Sequence, residues 1–465
     1  MRRTKIIATI GPRTESEESI RKLADAGMNI ARINMSHGDH KWISEVIARI
    51  KKVSEKSRFP IAIMIDTQGP EIRTSATEVG LEEGEMFKIA VDSACDIQEG
   101  EKHTFINYDL IKKVKPKDVI AIDDGLIALE VVNVGPYHVN CKVLNKGSLG
   151  KRKSVNIPGI KKDMPAVTEK DVEDVRLGIK SGVEYVAQSF VRRKENVVEL
   201  RKLLDKLGSN AMIIAKIEDQ EGIDNREDII QEADAIMVAR GDLGVEIPIE
   251  EIPIAQKSLV NSSIKAGKPV IIATHLLESM IKNPRPTRAE VTDVANAVYE
   301  KADGIMLSGE TTKGDYPVEC VETMHKIARK VQCQVGFDMP RDGLKINDVR
   351  EAITLGACIN AKNLDAKAII VFSRTGKLLS LITKRRPTND IFVFSDSDEV
   401  KRKLMIYWGT FSFNIQFTQN FETMVKNAIK MLKDKKYLLK GERVIIVSDI
   451  NPRKNIEILE IREID

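Results

Sequence analysis

The chain has 465 residues, 42% hydrophobic and 31% charged, with a net charge of only +4. It is too long for one core and carries enough apolar material for more than one domain. Basic and acidic residues are interspersed and aromatics make up only 5%, which argues against the basic stripe and stacking surface of a nucleic-acid binder.

The first predicted element is a strand, TKIIATI, ending at Gly11-Pro12 and followed by a helix over 15–26. NIARINMS is a second strand, closing near Ser36-His37-Gly38, with a helix over 41–57. A third strand over 60–67, with the core IAIMIDT, breaks the rhythm. Residues 70–154 instead show short alternating runs (MFKIAV, KDVIAI, ALEVVNV, HVNCKVL) separated by turns such as Asp124-Gly125 and Gly135-Pro136. Period-two alternation with turn punctuation predicts an inserted all-β module. A helix then starts at Thr168-Glu-Lys-Asp171, with Thr168 as N-cap and Asp171 at the third helical position. Five more apolar runs, YVAQSF, IIAKIED, AIMVARGD, VIIATH and GIMLSGE, alternate with helical stretches as far as about residue 332. After a run of mixed polarity over 336–347 come AIIVF, a helix from Lys377, IFVFS, another helix, RVIIVSD and IEILEIRE.

Eight short apolar runs, each ending in a polar cluster, fit parallel barrel strands with function at their carboxyl ends. The expected fold is therefore α/β. A (β/α)8 barrel spans 1–69 and 155–333, an all-β lid 70–154, and an α/β sheet domain 334–465. The five cysteines (Cys95, Cys141, Cys320, Cys333, Cys358) form no Cys-x-x-Cys pair, so neither a zinc site nor a disulfide framework is expected and a cytoplasmic setting suits them. No apolar run approaches the roughly 18 residues of a membrane helix. The opening MRRTKIIATIGP reaches Gly-Pro too early for a signal peptide.

The strand ends supply Arg32, Asn34, Ser36, Asp66, Lys216, Glu218, Asp242 and Thr274. Residues two apart on a strand share a face, so Lys216 and Glu218 point together, as do Arg32, Asn34 and Ser36. Alone, a Lys-x-Glu pair is more often an internal salt bridge. Asp242, ending the next strand after Arg240-Gly241, changes the balance. Two carboxylates, with the remaining positions left to water and substrate, are a usual way to hold Mg²⁺. The six histidines are scattered, which argues against a transition-metal site. Arg32 and Arg73 flank the mouth, each readable as an ion-pair residue or as a fork for phosphate or carboxylate. Neither a G-x-x-x-x-G-K-[ST] loop nor a G-x-G-x-x-G fingerprint is present. Phosphate chemistry would then rest on the metal, Lys216 and the arginines, in the electrostatic manner that phosphoryl transfer requires. Thr274 is the hydroxyl for a proton relay, or else a plain β-branched strand residue. Backbone N–H groups around Gly241-Asp242 are expected to meet a substrate carboxylate.

With these residues the chain resembles the pyruvate kinase family from end to end. The matching motifs are RRTKIIATIGP, NIARINMSHG, DTQGPEIRT, IDDGLI, SVNIPG, PAVTEKD, AKIEDQEGIDN, MVARGDLGVEIP, SMIKNPRPTRAE and MLSGETTKGDYP, and the stretch 215–317 is the most specific. The resemblance implies a homotetramer with a catalytic barrel, a mobile lid and a regulatory C-terminal domain. It implies phosphoryl transfer from phosphoenolpyruvate to ADP, with Mg²⁺ (or Mn²⁺) and K⁺ as cofactors and no nucleic-acid or membrane partner. Lys216 would stabilise the migrating phosphoryl group, and Glu218 and Asp242 would bind the divalent metal. Arg73 would contact the substrate phosphate, Arg32 would help hold the phosphates, and Thr274 would lie on the proton path to the enolate. Asn34, Ser36, Asp66 and Thr67 match the K⁺ site. Thr9, Pro12, Arg13, Asn34, His37 and Lys153 fall where the nucleotide is met, with the lid near Asp124 closing over it.

Three departures stand out. Gln68 replaces a frequent lysine, removing a positive charge near the K⁺ site. Glu71, in contrast, is acidic where members that dispense with K⁺ carry lysine. His275 replaces the usual glutamine beside Thr274, either as packing or as a group that tunes the relay. At the C-terminus, the short link DINPRKN replaces the glycine-rich loop that closes over fructose 1,6-bisphosphate. What remains is the turn Ser373, Arg374, Thr375, Gly376, Lys377, readable as an anion-binding effector site or as a capped loop. Two rival readings are a metal-dependent lyase that forms pyruvate enolate and a non-catalytic paralogue. The lyase needs no nucleotide lid, and the paralogue would have to lack a catalytic residue, none of which is missing.

Overall fold

The computed structural model describes residues 1–336, 346, 348–449 and 457–465. Most of the 336–347 run and of the DINPRKN link lies outside the described residues.

The eight apolar runs all become strands of one closed parallel barrel. They are β1 (Lys5–Thr9), β2 (Ile30–Asn34), β3 (Ala62–Asp66), β4 (Tyr185–Gln188), β5 (Met212–Ile217), β6 (Ala235–Ala239), β7 (Val270–Ala273) and β8 (Gly304–Leu307). Alternation along each strand sorts its side chains between two cores. Ile7, Ile30, Met64, Ile214, Met237 and Ile271 fill the barrel interior. Ile6, Ala31, Ile63, Ile213, Ile236 and Ile272 pack outward against the helices. The inward face continues past the apolar layer, so two residues beyond Ile7, Ile30, Met64 and Ile214 stand Thr9, Arg32, Asp66 and Lys216. Parallel register brings these ends level: Thr9 pairs with Arg32, and Asp66 pairs with both Asn34 and Ala187. The helix predicted from Thr168 runs Glu169–Lys180 and begins with the expected capping box.

Between β3 and β4 the chain leaves the barrel to form a six-stranded sheet and a two-stranded ribbon. This module has its own core, including Phe87, Ile120, Leu129, Val139 and Cys141. Its last strand, Val155–Asn156, pairs with Val119–Ile122, and Ile157 joins the same core. The sheet therefore continues past the edge expected at residue 154.

The C-terminal sheet comprises β9 (Ala368–Phe372), β10 (Asp390–Ser395), β11 (Thr410–Asn414), β12 (Arg443–Ser448) and β13 (Ile458–Glu463), in the order β11-β10-β9-β12-β13. Only the β12–β13 pairing is antiparallel. This domain caps the bottom of the barrel, where Met405 and Ile406 enter the cluster that fills its interior. Buried Asp303 there takes Arg386 at 2.5 Å and the Trp408 N–H at 2.8 Å. Half-buried Arg402 reaches the buried Glu184 at 2.5 Å.

Candidate active site at the carboxyl ends of the barrel strands

Asp66 closes β3 with no solvent exposure and is held from two sides. Arg32 donates to its Oδ2 at 2.7 Å, and Lys216 Nζ lies 3.1 Å from Oδ1. Burial disfavours the Asp66 charge, but Lys216 and Arg32 hold its carboxyl below the usual range. Lys216 also pairs with Glu218 Oε1 at 3.0 Å and donates to Ser189 Oγ at 2.7 Å. Burial opposes the ammonium, yet Asp66, Glu218 and Asp242 together lift Lys216 above the ordinary lysine range. Its proton is fixed, so it acts as a permanent charge.

Glu218 accepts the Phe190 N–H at 2.6 Å, and its carboxyl group neighbours that of Asp242. Asp242 lies in the first turn of the helix Arg240–Glu246 that follows β6. Burial raises both carboxyl groups, and the neighbouring Asp242 adds to the rise at Glu218 against the pull of Lys216. Such a pair of hard, buried oxygen donors suits a divalent ion. Among the described residues no third histidine, cysteine or carboxylate joins them in a metal-ligand group. That donor count fits Mg²⁺ or Mn²⁺ completed by water and substrate and does not fit a closed structural site.

Arg73 is gripped by Glu71 at 2.6 Å and donates to the lid carbonyl of Arg152 at 3.0 Å. With Asp123, Asp124, Lys153, Lys162, Phe190, Arg192 and Asp242 it lines a cleft of about 190 Å³ between barrel and lid. Lys153 is paired there with Asp123 at 2.9 Å. A larger cavity of about 460 Å³ opens beside the C-terminal domain. Its lining holds none of Asp66, Lys216, Glu218 and Asp242, whereas the smaller cleft includes Asp242.

Thr274 stands just past β7 in the left-handed region (φ 66), and His275 follows at φ 54. Arg240 steadies this bend, forking onto Asp293 at 2.7 Å on both arms and donating to the Thr274 carbonyl at 2.8 Å. The Gly241 N–H donates to Thr274 Oγ1 at 2.7 Å. That bond fixes the hydroxyl beside Asp242. His275 is exposed, which removes the packing role considered for it.

The remaining expected residues divide by burial. Thr9 is buried, accepting from Arg32 at 2.9 Å and donating to the Leu307 carbonyl at 2.7 Å, so it orients Arg32. Pro12, Arg13 and His37 are exposed on the rim, and Arg13 reaches Asp315 at 2.9 Å. Asn34 Oδ1 accepts the Ser36 N–H at 3.0 Å, and Thr67 Oγ1 accepts that of Ser189 at 3.3 Å. Gln68 donates to Glu71 at 3.3 Å.

Far from this mouth, Ser373 is fully buried, accepts the Gly376 N–H at 3.0 Å and hydrogen-bonds Asp449. Its hydroxyl is committed inward. Thr375 and Lys377 are left as the outward groups of that turn.

Sequence reasoning missed Ser189 and Phe190, which place the Lys216 ammonium and the Glu218 carboxylate. It also passed over Arg240 as the clamp on Thr274. Only the position of Ser189 and Phe190 at the end of an apolar run could have pointed to them.

A family model described as "Pyruvate kinase, barrel domain" matches residues 1–321, and one described as "Pyruvate kinase, alpha/beta domain" matches residues 351–461. The chain belongs to the pyruvate kinase family. It is 40% identical to the pyruvate kinase of Clostridium acetobutylicum over 457 residues, 97% of this chain and 96% of that one. It is 41% identical to that of Staphylococcus aureus strain MRSA252 over 456 residues, 97% of this chain and 78% of the relative. As a family member it is a phosphotransferase with pyruvate kinase activity, which the fixed cation and the carboxylate pair at the mouth suit.

Proposed function

We propose that this mouth transfers the phosphoryl group of phosphoenolpyruvate to ADP, giving ATP and pyruvate. The observation that carries the reading is Lys216, buried, permanently charged and suspended between Asp66, Glu218 and Ser189 next to Asp242. A bound divalent ion, held by Glu218 and Asp242, would neutralise the substrate's phosphate and carboxylate. Arg73 and Arg32 would grip phosphate oxygens. As the bond from phosphorus to the enolate oxygen breaks and the bond to the ADP β-phosphate oxygen forms, Lys216 meets the charge spread over the phosphoryl oxygens. The enolate carbon then takes a proton along the path that Thr274 marks. The barrel is the catalytic unit, the β module the lid that excludes water, and the α/β unit the regulatory domain.

On the same reading, Asn34, Ser36, Asp66 and Thr67 take K⁺, while Pro12, Arg13, His37 and Lys153 meet the nucleotide beneath the lid. Thr375, Gly376 and Lys377, with Ser373 behind them, form the effector turn. A cytoplasmic homotetramer completes the reading. Ile249 and Ile254, 76% and 70% exposed, are apolar surface of the kind that subunits cover. No described helix is long and apolar enough to cross a membrane.

The test is a lactate dehydrogenase-coupled assay with phosphoenolpyruvate, ADP, Mg²⁺ and K⁺. NADH loss that requires all four components supports the reading. Pyruvate formed without ADP would favour a phosphatase, and no pyruvate at all a lyase of another substrate or a non-catalytic chain.

A further inference from the structure

The lid returns to the barrel through the segment that follows Val155–Asn156. Two side chains flanking this return converge on one atom. Asn156 Nδ2 donates to Glu246 Oε1 at 2.8 Å, and the Lys162 ammonium pairs with the same oxygen. The ion pair is almost wholly buried, with Lys162 6% and Glu246 3% exposed. The next residue faces the other way. Asp163 pairs with Lys113 of the lid, and its N–H donates to Tyr108 Oη at 3.2 Å. That second pair is open to solvent, with Asp163 73% exposed. A buried pair that loses one partner leaves an uncompensated charge, whereas an exposed pair separates at little cost. One grip is therefore permanent and the other releasable. Glu246 also ends the helix Arg240–Glu246, one turn beyond Asp242 and on the same face.

We propose that Glu246 is the pivot of the lid, a positioning residue that ties the return strand to the helix bearing Asp242. The Lys113–Asp163 pair is the contact that parts as the lid swings. Tilting the lid about Glu246 keeps its nucleotide-facing groups in register with Asp242. The kinetic consequence rests on the phosphotransfer reading above, whereas the mechanical one does not.

The experiment compares the full chain with Lys162→Met, Lys162→Arg and Lys113→Met by hydrogen exchange and steady-state kinetics. In Lys162→Met, exchange rises at 155–163 and 240–246 while the rest of the barrel keeps wild-type protection. Its apparent KM for ADP rises several-fold with kcat little changed, as expected when positioning rather than chemistry is lost. Lys162→Arg restores most of both, and Lys113→Met raises exchange near 108–113 without touching 240–246. Wild-type values in Lys162→Met would overturn the proposal. So would loss of protection throughout the barrel that Lys162→Arg fails to rescue, because the pair would then be merely structural. A wild-type chain inactive toward phosphoenolpyruvate and ADP would instead defeat the activity reading, leaving the exchange measurement to decide the pivot.

Discussion

At the residue scale, the site is a balance of buried charges, and each member can be removed separately. Lys216→Met deletes the cation that meets the transferring group, and loss of such a preorganised charge costs roughly 10²–10³-fold or more in kcat. Circular dichroism should show the fold retained, since Asp66 keeps Arg32. Glu218 predicts a pH dependence. Burial, aided by Asp242, lifts it to about 7 against the pull of Lys216 and the Phe190 N–H. Asp124 and Glu71 act on the neighbouring Asp242 in the same direction as its burial. A divalent ion competes with the proton on Glu218, so Mn²⁺ affinity, read by electron paramagnetic resonance, should fall as pH drops through about 7. Without metal the sign for stability is the reverse. The raised folded value makes the Glu218 contribution complete below its ordinary 4.5 and lost as pH rises toward 7. Metal-free protein should thus gain more thermal stability from Mn²⁺ at pH 8 than at pH 5.5. Equal gains would contradict the pairing.

At the element scale, the loop from Thr67 to Arg73 carries the monovalent-cation prediction. Glu71 pairs with Arg73 and accepts from Gln68, so this loop adds no free positive charge to the ion-paired Arg32 and Lys216 at Asp66. Turnover should depend on K⁺ when a bulky organic cation maintains ionic strength, and Glu71→Lys should relieve that dependence. Full activity of the wild type without K⁺ would refute it. The strand ends were legible because period two places Lys216 and Glu218 on one face whatever the surroundings. Ser189 was not, because its value arises from register: it meets Thr67 from 122 positions away, which no local pattern encodes. Gly241 was legible as a strand-end residue, but its bond to Thr274 was not. The left-handed bend that turns Thr274 back onto its N–H follows from the Arg240–Asp293 clamp, which also joins residues distant in sequence.

At the scale of the whole molecule, barrel, lid and C-terminal sheet could be read as separate units because the hydrophobic period changes at each junction. What could not be read is the plugging of the barrel base by Met405 and Ile406, a contact made by a short segment with no periodic signature. This junction makes a stability prediction. Arg386→Met leaves Asp303 buried with only backbone donors, which should cost about 3–5 kcal/mol in urea unfolding. A loss below 1 kcal/mol would show the pair to be dispensable. The C-terminal turn makes a regulatory one. With the enclosing loop replaced by a short link, fructose 1,6-bisphosphate should activate poorly. A ligand with one phosphate should act through Thr375 and Lys377, and activation constants for Lys377→Met would check this.

The central claim is phosphoryl transfer between two substrates at Lys216 and the Glu218–Asp242 pair, and phosphorus NMR reads it without coupling enzymes. Wild-type protein with phosphoenolpyruvate, ADP, Mg²⁺ and K⁺ should lose the phosphoenolpyruvate signal and gain the ATP γ-phosphate in equal amount, while Lys216→Met leaves both spectra unchanged. Inorganic phosphate appearing in place of ATP, or transfer undiminished in the Lys216 variant, would contradict the account.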